Sequence, residues 1–266
     1  RHTRYISVTG VQTCALPICL LVLGGTTEAS ALARLLAGDP RFDATLSLAG
    51  RTASPKAQPI ATRSGGFGGA DGWAEWLQAE KIEAVIDATH PYAGRISANA
   101  VTACRTMGLP LVSIVRPPWT PVPGDEWRGV RDTAEAARAL GAAPRRVFLS
   151  LGRQDLHLFA TAPQHRYVAR LIEPPEQDRL PPDLVLVRSR GPFDLAAERE
   201  LLVRESIDVL VSKNSGGDST YPKLAAARAL GLPVIMIARP DKPAGHVVGS
   251  PEAAIAHLAP RSARGV

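Results

Sequence analysis

Short continuous apolar runs alternate along this chain with stretches in which apolar residues recur every third or fourth position. The first run, residues 20–23 (LLVL), meets the glycine pair Gly24-Gly25; Ala29, Leu32, Ala33, Leu35 and Leu36 then follow at helical spacing. That is the pattern of a buried strand, a tight turn and a helix start. Further strands are predicted over 44–49 (ATLSLA), 84–88 (AVIDA), 111–115 and 127–130, with helices over 71–80, 96–107 and 132–140 between and after them. Gly108-Leu109-Pro110 stops the second of these helices, and the proline-rich stretch 117–123 reads as a loop. Strands alternating with helices build a parallel sheet.

The same order then recurs. A strand over 147–151 meets Gly152-Arg153-Gln154, 167–172 matches the second strand, and 208–212 (DVLVS) matches AVIDA. Arg188-Ser189-Arg190-Gly191 follows Arg63-Ser64-Gly65-Gly66 by 125 positions (63 to 188), as Ile207 follows Ile82. Gly231-Leu232-Pro233 and Arg239-Pro240 follow Gly108-Leu109-Pro110 and Arg116-Pro117 by 123 (108 to 231, 116 to 239). Residues 246–248 and a helix from Ser250-Pro251 to Leu258 complete the second copy, matching 127–140 of the first. An offset kept through so many landmarks is a duplication. The expected fold is therefore α/β, with two similar Rossmann-like halves, parallel sheets and a cleft between them. The halves are expected at 20–143 and 144–266, the first binding a dinucleotide and the second a substrate.

Ligands of such sheets sit beyond the carboxyl ends of the strands. In the first half these ends carry GGTTEA, GRT, GGFGG and THPY. Glycines there let the backbone approach a pyrophosphate, and a helix N-terminus presents free N–H groups to its charge. Thr26 and Thr27 are equipped both to cap the helix and to donate to phosphate. The expected cofactor-binding residues are Gly24, Gly25, Thr26, Thr27, Glu28, Gly50, Arg51, Thr52, Gly66, Gly68, Thr89, His90 and Pro91. Arg51 stands at the end of the second strand, where an NAD site usually carries an acid for the ribose; a cation there favours the 2′-phosphate of NADP. The second half has bulky donors in place of glycines. Arg153, Gln154, Arg190, Lys213, Asn214, Tyr221 and Lys223, with the backbone of Ser215-Gly216-Gly217 and with Arg116 from the first half, suit a ligand bearing several carboxylates. Tyr221 and Lys223 are not the pair of a short-chain dehydrogenase, which needs a four-residue spacing on a helix, and Tyr92 fails the same test with Ile96. No H-E-x-x-H, Walker lysine or G-x-S-x-G motif occurs, and no metal ligand set is assigned.

Composition narrows the ligand class. Hydrophobic residues make up 45% of 266 and charged residues 21%, which describes a globular chain. No apolar run approaches the roughly 20 residues that span a bilayer. The net charge of +6 is spread out with no basic block, so a small polyanion is expected as partner and neither nucleic acid nor membrane. Three cysteines form no disulfide framework, which points to a reducing cytoplasm. Residues 1–19 begin without Met and carry no clear period; they are read as a foreign or mistranslated leader outside the fold.

The stretches LGGTTEA, SLAGRT, GGFGG, IDATHPYA, RPPW, GRQ, RGPF and SKNSGG together resemble the precorrin-6A reductase family of cobalamin biosynthesis, with its cobalt-precorrin-6A counterpart, in register over about 20–240. The resemblance implies hydride transfer from NADPH to one double bond of a modified tetrapyrrole, by a protein expected to be a monomer. Members acting on the cobalt form are associated with NADH, which leaves NADH as the second cofactor choice. It implies no side-chain nucleophile; the proton for the neighbouring carbon is expected from water, His90 or Tyr221. Two other readings fit the residues: a reductase of another polycarboxylate, and a non-catalytic NADP-binding sensor. The reductase reading requires the glycine turn of one half and the cationic loops of the other to face one shared cleft.

Overall fold

In a computed structural model, which describes residues 16–50, 56–175, 179–189, 191 and 193–262, the chain folds into two six-stranded sheets with every strand pair parallel. The first sheet has the order β3 (Ala61–Ser64), β2 (Phe42–Leu48), β1 (Ile18–Leu23), β4 (Ala84–Asp87), β5 (Leu111–Ile114), β12 (His246–Val248). The second has the order β9 (Leu184–Arg188), β8 (Arg166–Leu171), β7 (Arg146–Ser150), β10 (Val209–Lys213), β11 (Val234–Ile237), β6 (Trp127–Val130). Each strand order reverses beside its first strand, between β1 and β4 and between β7 and β10, the switch points of doubly wound folds.

Continuous apolar runs occupy the middle of each sheet because both faces are covered. Leu20, Leu21, Val22 and Leu23 are fully buried, and all four residues of β4, β5 and β11 are buried. Helix α1 (Thr27–Leu36) and α7 (Pro251–Ser262) cover one face of the first sheet, with Ala29, Leu32, Leu36, Ala254 and Leu258 in its core. Helices α2 (Gly69–Ala79) and α3 (Gly94–Met107) cover the other, around Trp73 and Leu77. In the second half α4 (Thr133–Ala139) and a 3₁₀ helix over Arg153–Thr161 pack on one face, α5 (Leu195–Arg204) and α6 (Pro222–Ala229) on the other.

Side-chain caps start α1, α4 and α5: Thr26, Asp132 and Asp194 each accept a hydrogen bond from an N–H three residues on. β3 and β9 are edge strands beyond those expected; neither has a buried residue, and β3 (ATRS) has no apolar run, although β9 (LVLVR) has one. The second glycine turn also departs from its expected copy, leading into a 3₁₀ helix and not an α-helix.

The largest correction concerns the halves. Residues 127–140, expected to close the first half, pair β6 with β11 of the second sheet. Residues 246–258, expected to close the second, pair β12 with β5 of the first, and α7 packs on α1 and β5. The two sixth strands, each with its helix, are exchanged. The division at 143/144 therefore separates neither sheet from the other, and the chain crosses between them near 115–126 and 238–245. Hydrophobic pattern alone cannot choose the sheet, because the free edges of β5 and β11 offer a parallel strand the same ladder. The crossing segment decides: prolines at 117, 118, 121 and 123 hold it extended. The Trp119 N–H also donates to Asn214 Oδ1 at 2.8 Å, which fixes this segment to the second half. β1 begins at Ile18, two residues inside the stretch expected to lie outside the fold.

Candidate active site

The β1–α1 turn has the form a pyrophosphate needs. A Cβ on Gly24 would lie 2.6 Å from Cδ1 of the buried Leu46, which would have to shift to admit any other residue. Gly25 has φ +108 with open space beyond it. Thr26 Oγ1 accepts from the Ala29 N–H at 3.1 Å and donates to the Ala88 carbonyl at 2.6 Å. Its hydroxyl is thus engaged in capping α1 and tying it to β4. The phosphate donors that remain are the backbone N–H groups of Gly25, Thr26 and Thr27, which have no partner within the helix. These features fit a dinucleotide. Of the other expected cofactor residues, Gly50 lies beside Gly65 at the ends of β2 and β3, Gly68 precedes α2 with φ +80, and Gly66 has open space above it. Arg51 and Thr52 lie outside the described residues, as does Arg190.

A cavity of about 320 Å³ opens at the carboxyl ends of β4 and β5, lined by Glu28, Thr89, Pro91, Arg116, Arg239 and Lys242 among others. Its lining sets the cations Arg116, Arg239 and Lys242 against the carboxylates Glu28 and Asp241, and these charges are organised. Arg116 Nη1 donates to both Glu28 carboxylate oxygens at 2.7 Å, and its Nε donates to the Ser215 carbonyl at 2.7 Å. Burial raises the Glu28 pKa, but the hydrogen bonds and charge of Arg116 outweigh it and hold the carboxyl below its ordinary value. Arg239, the duplicate of Arg116, donates to the carbonyls of Asn214, Arg116, Pro117 and Ser215. Lys242 reaches Asp87 at 3.3 Å, and buried Asp87 also accepts from Thr89 and Ser97. Thr89 is therefore held by Asp87, its hydroxyl not free for a ligand.

His90 bridges the halves through a 3.1 Å contact from Nε2 to Ser215 Oγ. The Tyr92 N–H donates to its Nδ1 at 3.3 Å, which assigns the imidazole proton to Nε2. Burial, together with Arg116, Lys213, Lys242 and Arg239, pushes its pKa down to about 3. At neutral pH His90 is uncharged and holds no acidic imidazolium proton. Tyr92 Oη donates to the Ile237 carbonyl at 2.5 Å and accepts from the Asn214 N–H at 2.8 Å, making a second bridge.

The loop after β10 is built around these bridges. A Cβ on Gly216 (φ +69) would sit 2.1 Å from the Pro117 carbonyl oxygen, and one on Gly217 (φ +74) 3.2 Å from Arg116 Cδ. The two glycines thus serve the close approach of the halves, where an anion nest was expected. Lys213 is paired with Asp155 at 2.5 Å and lies over the Tyr92 ring. Arg153 faces Glu173 at 3.7 Å, and Gln154 is exposed at the start of the 3₁₀ helix. Asn214 is spent on both backbone groups of Trp119.

Tyr221 accepts from Arg228 at 3.2 Å and packs beside Trp119. Lys223 is buried with its ammonium 4.9 Å from the Trp119 ring centroid, and desolvation, with Arg170 and Arg116 nearby, pulls its pKa down to about 7 although Glu198 acts the other way. The structure therefore joins the glycine turn to the cationic loop through Glu28, Arg116 and Ser215. Sequence reasoning missed Asp87, Tyr92, Trp119, Arg239 and Lys242. Of these, Arg239 had a signal in its repeat of Arg116, and Asp87, Tyr92 and Trp119 stand in the stretches IDATHPYA and RPPW; Lys242 had none. Among the described residues no cluster of three His, Cys, Asp or Glu could hold a metal, and no helix is long and apolar enough to cross a membrane.

Comparison with known proteins agrees with this geometry. A precorrin-6A reductase from Rhodobacter capsulatus is 51% identical over 249 residues, 93% of this chain and 99% of its own length. One from a Sinorhizobium species is 51% identical over 241 residues, covering 90% and 92%. The solved structure of CobK precorrin-6A reductase matches 94% of this chain and all of its own, with TM-score 0.87 and 51% identity. The sequence model described as precorrin-6x reductase CbiJ/CobK matches residues 19–259, and the chain belongs to that family of reductases.

Proposed function

We propose that this chain reduces precorrin-6A in cobalamin biosynthesis, as a cytoplasmic monomer that uses NADPH. The observation that carries the reading is the connection Glu28–Arg116–Ser215, which brings the β1–α1 turn and the second half's donor-rich loop to one cleft. A reduced nicotinamide, when bound, supplies the hydride, and the protein supplies orientation and charge. In this reading the backbone of Gly25 to Thr27 takes the pyrophosphate, and Thr89 and Pro91 bound the cavity where the nicotinamide end rests. Arg116 and Lys223 offer positive charge to the carboxylate arms of the macrocycle. Lys223 is the buried group whose proton is easily given up near neutral pH, whereas His90 stays neutral. We assign His90 to holding the halves together, and Tyr221 to packing on Trp119; the proton for the second carbon then comes from water or from Lys223.

The test is direct. Protein, NADPH and precorrin-6A are mixed, and absorbance at the reduced-nicotinamide band is followed with the product checked by mass. Loss of that band with a gain of two hydrogens in the macrocycle supports the reading. Bound cofactor with no oxidation in the presence of precorrin-6A refutes it.

A further inference from the structure

On the side of the glycine turn away from the cavity stands an arginine that no step above uses. Arg63, in β3, pairs in register with Ser47 of β2. Its Nη1 donates to Ser47 Oγ at 2.8 Å and to the Gly65 carbonyl at 3.3 Å; its Nη2 donates to the Gly66 carbonyl at 3.1 Å. The guanidinium carbon lies 4.0 Å from the centroid of the Phe67 ring and 5.0 Å from that of Trp76. All its acceptors are neutral, and among the described residues no carboxylate forms an ion pair with it; Glu80 acts on it only through space. Partial burial pulls its pKa below the ordinary arginine value. The two rings and three neutral acceptors hold this partly buried cation in place, and a ligand anion would supply the counter-charge that the described residues do not. Of its five N–H donors, Nε and one hydrogen of Nη2 have no acceptor among the described residues, enough for a second, bidentate partner.

The surroundings state which anion. The Ser47 carbonyl accepts from the Gly24 N–H at 2.9 Å, so the residue that anchors Arg63 also anchors the glycine turn. The Gly65 N–H donates to the Leu48 carbonyl at 2.9 Å, and a Cβ on Gly50 would be 3.4 Å from the Gly65 nitrogen. The ends of β2 and β3 therefore form one ledge beside that turn. With a pyrophosphate on the β1–α1 turn and the cavity over β4 and β5 holding the nicotinamide end, the adenosine end runs over this ledge. We propose that Arg63 binds the 2′-phosphate of the adenosine ribose and favours NADPH over NADH. The assignment rests on the proposed dinucleotide site at the β1–α1 turn.

Dissociation constants for NADPH, NADH, 2′,5′-ADP and 5′-AMP, measured on the full chain and on Arg63→Gln and Arg63→Lys, test it. Arg63→Gln is expected to weaken NADPH and 2′,5′-ADP at least about 30-fold while NADH and 5′-AMP stay within about threefold, with Arg63→Lys between. Equal weakening of NADPH and NADH, or unchanged NADPH binding, overturns the assignment and leaves the dinucleotide site standing. An unmutated chain that binds neither dinucleotide removes both. A measurement on that chain covers the case of a variant that fails to fold: modification by phenylglyoxal with peptide mapping. Protection of Arg63 by 2′,5′-ADP and not by 5′-AMP is expected, and equal protection by the two, or none, overturns the assignment.

Discussion

Replacing Lys223 by Met should stabilise the ligand-free protein, and the gain should shrink as pH rises. Lys223 is 3% exposed and has no hydrogen bond or ion pair among the described residues; its ammonium meets only the Trp119 ring. Desolvation first, then Arg170 and Arg116, lower its pKa from 10.5 to about 7. A depressed lysine pKa means that the folded state disfavours the charged form. The penalty is fully present below the folded pKa of about 7 and fades as pH climbs towards the unfolded value of 10.5. At about 1.36 kcal/mol per tenfold change, it amounts to roughly 5 kcal/mol at pH 6, and about 2 kcal/mol of that is gone by pH 8.5.

Methionine fills a similar volume without the charge, so the variant should lack this pH slope. Urea denaturation of both proteins at pH 6, 7 and 8.5 reads the difference directly. The range ends below the region where the raised pKa of Cys104 begins to act in the opposite direction. A stability gap that stays constant from pH 6 to 8.5 would show that Lys223 is not held as a depressed, desolvated amine. The same variant should lose affinity for a carboxylate-bearing macrocycle, since the cation that meets the carboxylate would be gone.

Two further outcomes follow from the contact between the halves. Gly216→Ala adds a methyl 2.1 Å from the Pro117 carbonyl at φ +69, so the loop must shift and strain the bonds that Arg116 and Arg239 make to Ser215. A loss of about 3 kcal/mol or more in unfolding free energy is expected, and a melting temperature unchanged within error would contradict this packing. For His90, with its pKa near 3, the ring proton shifts in an NMR titration should stay flat from pH 5 to 8; a midpoint near 6.5 would place the imidazole in solvent and break the proposed bridge to Ser215.

Most of the strands and helices were legible from the chain because central parallel strands and amphipathic helices announce themselves locally. Residues 20–23 and 234–237 are buried on both faces and hence apolar throughout, as is 84–86 before the buried Asp87. β3 was not, since ATRS carries no such run, whereas β9 does carry one, Leu184 to Val187, in an edge strand with no buried residue. In the site, the glycine turn could be read from Gly24 and Gly25, whose role is set by backbone geometry. The use made of Lys213, Asn214 and Arg153 could not, because each is committed to a partner distant in sequence: Asp155, Trp119 and Glu173 respectively.

What the amino-acid order determined by itself was the duplicated α/β unit, the nucleotide-type turn and the surplus of cations after the strands. All of these depend on spacing within a few residues or on repetition along the chain. Only the tertiary structure decided that the sixth strands change sheets and that Arg116 and Arg239 fasten the two halves at Asn214, Ser215 and Pro117. It also decided that His90 meets Ser215 across the cleft. Those outcomes turn on pairing between surfaces remote in sequence, where two edges or several carbonyls are chemically equivalent and only their placement in space distinguishes them.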